Sequence, residues 1–202
     1  MATPRRTTTK ARGGKNVIVD AAIKNFRTFG YHGTSMRDIA RDADVTVAAI
    51  YHHFASKQEI LQDIMAQSLS DVISLTRTAL LSSGSSPSDQ LRELMTAWIH
   101  FHTSRQPEAL IGASEIRSLD PSGRRLITTL RDEQERMFRD VINRGIAEGE
   151  FATPYANEAA RAVIEMGYAI AAWYRQGGDL APQEMAQRYA ELALATVRAA
   201  PS

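Results

Sequence analysis

Apolar positions along this chain recur at three- and four-residue spacing almost throughout, the signature of helices that each bury one face. Between Asn16 and Phe29 they fall at Val17, Ile18, Ala21, Ala22, Phe26 and Phe29, and Gly30 offers a stop. Thr34 reads as an N-cap for a short helix over Ser35–Asp42, with Met36, Ile39 and Ala40 inward. Ala43, Asp44 and Val45 interrupt it, and Thr46 caps a second short helix, Val47–His53. Ser56, with Glu59 three residues on, forms a capping box for a long helix reaching towards Leu80. After the loop SSGSSPS, a helix over Ser88–Ser104 carries Leu91, Leu94, Met95, Trp98, Phe101 and His102 on its inner face. Prolines 107, 121, 154 and 182 open four more, ending near Ile116, Glu148, Arg175 and Ala199. No strand-type alternation and no fixed repeat interrupts this pattern, so the predicted fold class is all-α with about nine helices.

Composition leaves that picture standing. The chain has 202 residues, 44% of them hydrophobic, enough for a real core. No apolar run approaches the ~18 residues of a bilayer span, and no apolar segment follows the basic start as a secretory signal requires. With no cysteine there is no disulfide or thiol chemistry. These features suggest a cytoplasmic protein without a membrane partner.

Charge changes the picture more. The net charge is +1, yet residues 1–57 hold ten Lys/Arg against four Asp/Glu, while the remainder is acidic. Arg5, Arg6, Lys10, Arg12 and Lys15 stand in the first 15 residues with no acid among them. Such an arm is either a solvated leader or a segment drawn to polyanions, nucleic acid above all.

The two short helices with their three-residue break have the dimensions of a helix-turn-helix, whose second helix enters the major groove. Val47, Ala48 and Ala49 are small enough for close approach, and Thr46 and Val47 suit phosphate or thymine-methyl contact. Ile50 and Phe54, four residues apart, can anchor the core. That directs Tyr51 and His52 outward, where a phenol and an imidazole can donate to phosphate oxygens. Taken singly, Tyr51 could equally be a half-buried core aromatic. Lys57 at a helix start can add a cation to free amides. Arg37 is a candidate backbone contact.

The run TFGYHGTSMRDIARDADVTVAAIYHHFASKQEIL strongly resembles the DNA-binding region of the tetracycline-repressor family of bacterial regulators. The resemblance rests on Phe29-Gly30, Gly33-Thr34-Ser35, Arg37-Asp38-Ile39-Ala40, Val45, Ile50-Tyr51-His52-His53-Phe54 and Ser56-Lys57. Val47-Ala48-Ala49 stand where many members carry a glycine. The resemblance implies a basic flexible arm (1–14), a helix-turn-helix domain (15–56) and a larger ligand-binding and dimerisation domain (57–202). It further implies double-stranded operator DNA as partner, with Thr34, Thr46, Tyr51, His52 and Lys57 at the contact; Ser35, Arg37, Val47 and Ala48 complete the candidate DNA-binding set. A homodimer would form through the last two helices, and the segment PYANEAARAVIEMGYAIAAWYR, apolar over most of its circumference, is compatible with that.

Large or polar residues in apolar settings are the candidates for an effector pocket: Trp98, His102, Glu115, Arg117, Met137, Phe138, Tyr168 and Trp173, with Tyr174 beside them. Ordinary core packing is the competing explanation for each. EIRSL (115–119) and WYR (173–175) look similar to family members that control lipid, sterol or acyl-thioester breakdown. The expected effector is therefore small and hydrophobic, an acyl-CoA-like molecule included. His100 and His102, two apart on a helix, point to different sides, so no metal site is expected, nor any cofactor. No nucleophile elbow, phosphate loop, HExxH or dinucleotide fingerprint appears, and the expectation is a regulator, not an enzyme. A DNA-binding regulator without an effector is the alternative, against which the long C-terminal region argues.

Overall fold

The computed structural model describes residues 8–198. They form nine α-helices and one 3₁₀ turn: α1 (Thr8–Gly33), α2 (Met36–Asp42), α3 (Val47–Tyr51), α4 (Lys57–Ser82), α5 (Pro87–Ser104), α6 (Gln106–Ser114), the 3₁₀ turn Glu115–Ser118, α7 (Pro121–Ala147), α8 (Ala156–Trp173) and α9 (Pro182–Arg198). Of the expected basic arm, residues 1–7 lie outside the described residues and 8–14 are the opening turns of α1. Ala199, the expected end of the last helix, also lies outside them.

Local chemistry sets the boundaries. Gly30 breaks α1 with φ 72 and ψ 166, a conformation open to glycine, so Tyr31 to Gly33 form one offset turn. Ser35, not Thr34, caps α2: its Oγ accepts from Asp38 N at 3.3 Å while its own N–H donates to Asp38 Oδ2 at 3.0 Å, a closed capping box. The Ser35 hydroxyl, donating to Asp38 Oδ2 at 2.6 Å, and after it the Ser35 N–H hold the Asp38 carboxyl below its ordinary pKa. At Ser56 the expected box is altered. Ser56 Oγ accepts from Glu59 N at 3.2 Å, but the Glu59 carboxylate reaches the amide of Ala55 instead. Pro154 does not open α8. It lies in a bend because Ala152 N and Thr153 N both donate to Val197 O, at 3.0 and 3.2 Å, tying this segment to the end of α9.

The core is in two parts. Helices α5, α7, α8 and α9 pack around Trp98, Leu94, Phe138, Ile142, Val163 and Leu194, all buried. A second cluster takes Ile18, Phe26 and Tyr31 from α1, Ile39 from α2, Ile50 from α3 and Phe54, then Ile60, Leu61, Ile64 and Met65 from α4. Ile111 from α6, Leu119 just after the 3₁₀ turn and Ile127 from α7 complete it. The N-terminal helices thus share one core with the larger helical part, and α4 runs from one to the other. Two residues expected on the inner face of α1 point outward: Val17 and Phe29 are 44% and 60% exposed. Ile18, Ala21, Ala22 and Phe26 hold the inward stripe, and Phe29 falls just before the glycine break that turns the chain.

Candidate nucleic-acid interface and effector cavity

The turn between α2 and α3 is a complete Schellman motif. Val45 N donates to Ala40 O at 3.0 Å and Asp44 N to Arg41 O at 3.2 Å. Asp44 occupies the left-handed position with φ 53, which a short polar side chain tolerates better than most. Thr46 then caps α3 by accepting from Ala49 N at 3.1 Å. Ile50 and Phe54 are buried beneath, each contributing about 1.5–3 kcal/mol of burial. This pairing of cap and anchor presents Thr46, Ala48, Tyr51 and His52 to solvent, with Tyr51 55% exposed and Val47 half-buried beside them. Ser35 and Arg37 are exposed on α2 and its cap.

Two expected contacts are placed differently. Thr34 is buried, and its hydroxyl donates to Gly30 O at 2.9 Å, closing the offset turn. Its side chain is a structural clasp and does not reach the outer face. Lys57 is half-buried: its Nζ donates to Tyr31 O and Thr34 O and lies 4.2 Å from the centroid of the Tyr31 ring. Two of its three N–H groups are therefore engaged, and burial pushes its pKa down. From the other side, Glu115 Oε1 accepts from Tyr31 N at 3.3 Å, linking the 3₁₀ turn to the same loop.

A cavity of ≈ 20 Å³ lies among α4, α5, α6, α7 and α8, room for about one water molecule. Trp98, His102 and Tyr168 form its floor, with ring centroids 4.2 Å apart for Trp98–His102, 5.3 Å for Trp98–Tyr168 and 5.3 Å for His102–Tyr168. Met65, Leu69 and Val72 from α4 and Ala109 from α6 supply apolar walls. His102 Nδ1 donates to Trp98 O at 2.8 Å, the carbonyl being able only to accept, so in the neutral ring Nε2 carries a lone pair. Burial lowers the His102 pKa to about 4, the bond to Trp98 opposing only part of that, so the ring is neutral at pH 7.

Of the expected pocket residues, Trp98, His102 and Tyr168 meet here. Phe138 is fully buried behind Trp98, at 6.0 Å between centroids, as core. The others lie elsewhere. Glu115 faces the Tyr31 loop; Arg117 is exposed on the 3₁₀ turn; Met137 is half-buried on α7 away from the cavity. Trp173 is 51% exposed at the end of α8, while Tyr174 is buried and its hydroxyl donates to Leu180 O at 3.3 Å. No group of three or more His, Asp or Glu that could hold a metal occurs among the described residues. No helix among them is long and apolar enough to cross a membrane.

Known proteins agree with this architecture. The family model for bacterial regulatory proteins of the tetR family matches residues 18–64, and that for the tetracyclin repressor-like C-terminal domain matches residues 84–197, more than half the chain. The chain belongs to the TetR family. Among its relatives is KstR2, an HTH-type transcriptional repressor of Mycobacterium tuberculosis (strain ATCC 25618 / H37Rv), 28% identical over 179 residues that cover 88% of this chain and 89% of the relative. A tetR-family regulatory protein from Rhodococcus RHA1 superposes with a TM-score of 0.87 at 29% identity, covering 96% of this chain and 100% of that one. The regulator PfmR of Thermus thermophilus gives a TM-score of 0.81 at 32% identity, covering 88% and 97%. This TetR-family chain is a DNA-binding transcriptional regulator, not an enzyme.

Within the TetR-family frame, the cavity also holds polar residues that sequence reasoning missed: Ser68, Glu108 and Arg131. Arg131 was discoverable. It sits on the stripe Ile127, Arg131, Gln134, Phe138, Val141, whose other members are all buried. An arginine on an otherwise inward face is itself the signal.

Proposed function

We propose that this regulator is a repressor that leaves its operator when a small hydrophobic or acyl-thioester effector enters the cavity between α4 and α8. Met65 carries the reading. It stands in the cavity wall and, at the same time, in the core that supports α3. One turn beyond it, Leu69 packs against both cores. A ligand larger than one water that fills this space would press on Trp98, Tyr168 or α4, and a shift of α4 would disturb the buried cluster in which Ile50 and Phe54 sit. The ligand then moves the balance between states by its difference in affinity for them.

On the DNA side, Ser35, Arg37, Thr46, Val47, Ala48, Tyr51 and His52 are proposed to meet the operator, the α3 residues in the major groove and the others on phosphates. Lys57 can offer its remaining N–H to a phosphate. Thr34 is proposed to act through its backbone and the turn it closes. Two copies joined through α8 and α9 would present two α3 helices to half-sites about one helical turn, ~34 Å, apart. Support for that face comes from Ala162, Ala169 and Ala172, exposed on α8 beside Trp173, and from Leu192, 50% exposed on α9.

The test begins with an operator selected by the protein itself from a random duplex pool. Binding to it is followed by fluorescence anisotropy during titration with octanoate, octanamide, 2-naphthoate and octanoyl-CoA. Release by at least one of these compounds, with no release by glycerol, is expected. Operator binding indifferent to all of them at millimolar concentration would favour the alternative, a regulator that needs no effector.

A further inference from the structure

Among the described residues, the cavity wall carries one cation, Arg131, that forms no direct ion pair. Arg131 projects from α7, and its Nη2 donates to Gly112 O at 2.6 Å, while its Nε is buried without a partner. No carboxylate lies within ion-pairing distance of it among the described residues, although twelve ion pairs occur elsewhere, one of them joining Glu108, in the same cavity wall, to Arg105 at 2.6 Å. Arg131 is half-buried, and a guanidinium taken part-way out of water is normally paired, because the loss of hydration is otherwise uncompensated. Here the guanidinium carbon lies 5.7 Å from the centroid of the Tyr168 ring, whose own neighbour across the cavity is His102. Neither the Tyr168 hydroxyl nor His102 Nε2 has a hydrogen-bond partner among the described residues. A forked cationic donor and a neutral acceptor thus flank the Tyr168 phenol in the lining of a largely apolar space, which Ser68 and Glu108 also line.

We propose that the effector is a free organic acid, a compact apolar body ending in a carboxylate, with Arg131 as the counter-ion of that carboxylate. This rests on the reading of the cavity as the effector site. The planar fork of an arginine matches a carboxylate through two parallel N–H···O bonds, and Nε supplies one of the donors that the protein leaves unused. The apolar body displaces the water-sized void and wedges between Trp98 and α4. The Tyr168 hydroxyl can donate to the second carboxylate oxygen, and His102 Nε2 can accept from a hydroxyl on the acid or from a retained water. An acyl thioester presents only a neutral carbonyl at this place and leaves the guanidinium charge unmatched.

The experiment compares acid with neutral isostere on the wild-type full-length chain: octanoate against octanamide, and 2-naphthoate against 2-naphthamide, with octanoyl-CoA as a fifth probe. Calorimetry gives affinity, and anisotropy of the selected operator gives release. Each acid is expected to bind at least tenfold tighter than its amide. Arg131→Gln should erase that ratio and Arg131→Lys should keep part of it, with thermal unfolding recorded for both variants. The proposal is overturned if amides bind as well as acids, if the ratio survives Arg131→Gln in a folded protein, if no acid binds at millimolar concentration, or if octanoyl-CoA binds best and ignores Arg131. Amides that release the operator as well as acids do would leave the effector reading intact and remove the charged head. Acids that bind through Arg131 but never release DNA would do the reverse.

Discussion

The indole N–H of Trp98 donates to Ile164 O at 3.0 Å, and the ring lies against Gly167 one turn further along α8, where a Cβ would overlap its Nε1. The glycine is therefore the reason the indole can reach the α8 backbone at all. Gly167→Ala gains about 1 kcal/mol of helix propensity. It also forces a fully buried, hydrogen-bonded indole to move, and overpacking of that kind costs about 1–3 kcal/mol, more where the hydrogen bond breaks. Because Trp98 is a rigid ring and no flexible chain end absorbs the contact, the clash wins. The expected result in urea denaturation is a net loss of stability and a shift in tryptophan emission. A variant of equal or higher stability would show that α8 and α5 are not packed this closely.

Lys57 joins the N-terminal module to α4 by donating to Tyr31 O, at 2.6 Å, and to Thr34 O. Lys57→Ala removes the charged donor from Thr34 O and from Tyr31 O, which keeps only its 3.3 Å bond from Thr34 N, and charged hydrogen bonds of this kind are worth about 1.5–3 kcal/mol. A loss of stability towards the lower end of that range is expected, since the site is half-exposed. If the third N–H also meets a phosphate, the dependence of log K on log salt should flatten by about one unit. Measuring both quantities separates the roles: lower stability with an unchanged salt slope would make Lys57 a clasp alone.

The helical order of this chain was legible because each helix carries its own punctuation. Thr46, Ser56 and Pro121 mark ends by local chemistry, and Pro107, Pro121 and Pro182 open helices nearly to the residue, whereas the cap of α2 falls on Ser35, one residue after the expected Thr34. Pro154 misled because a bend tied to Val197, far along the chain, overrides a local preference. The outward set on α3 was legible for the same local reason: Ile50 and Phe54 fix which side faces in. Thr34 and Lys57 were not, because their partners are backbone carbonyls in and around the Gly30 turn, and sequence does not say which carbonyls a side chain will find. Five of the eight residues expected at a pocket do not line this cavity, Phe138 among them as core behind Trp98. Glu115, Arg117, Met137 and Trp173 were chosen for size and polarity, but a cavity is a gap between several helices, and its lining depends on their rotations.

His102 gives stability a pH dependence. Its folded pKa is lowered to about 4 from an ordinary 6.5, so the folded state disfavours protonation. The contribution is therefore fully present above pH 6.5 and is lost as pH falls from 6.5 towards 4. Complete loss amounts to about 3 kcal/mol, at 1.36 kcal/mol for each pH unit. Denaturant midpoints for the wild type should fall across that window, and the His102→Gln variant, neutral throughout, should lack that part of the fall. Parallel pH profiles for the two proteins would mean that the imidazole is not held neutral by burial.

Ala169 is exposed near the C-terminal end of α8, on the face it shares with Ala162 and Ala172. Trp173 and Leu192 are large apolar side chains left exposed in the single chain, and the α8 strip also carries the exposed Glu165. A carboxylate placed there is solvated in a monomer and costs little, since surface substitutions usually change stability by under about 0.5 kcal/mol. In a two-fold interface each copy would bring the same charge to the same strip, unpaired and stripped of water. Ala169→Glu is accordingly expected to yield a folded monomer in sedimentation at micromolar concentration. Operator affinity should fall by at least a hundredfold, because one α3 helix then meets one half-site. Should the variant remain a dimer with full operator affinity, the α8–α9 face is not where two copies meet, and the exposed Trp173 and Leu192 would need another explanation.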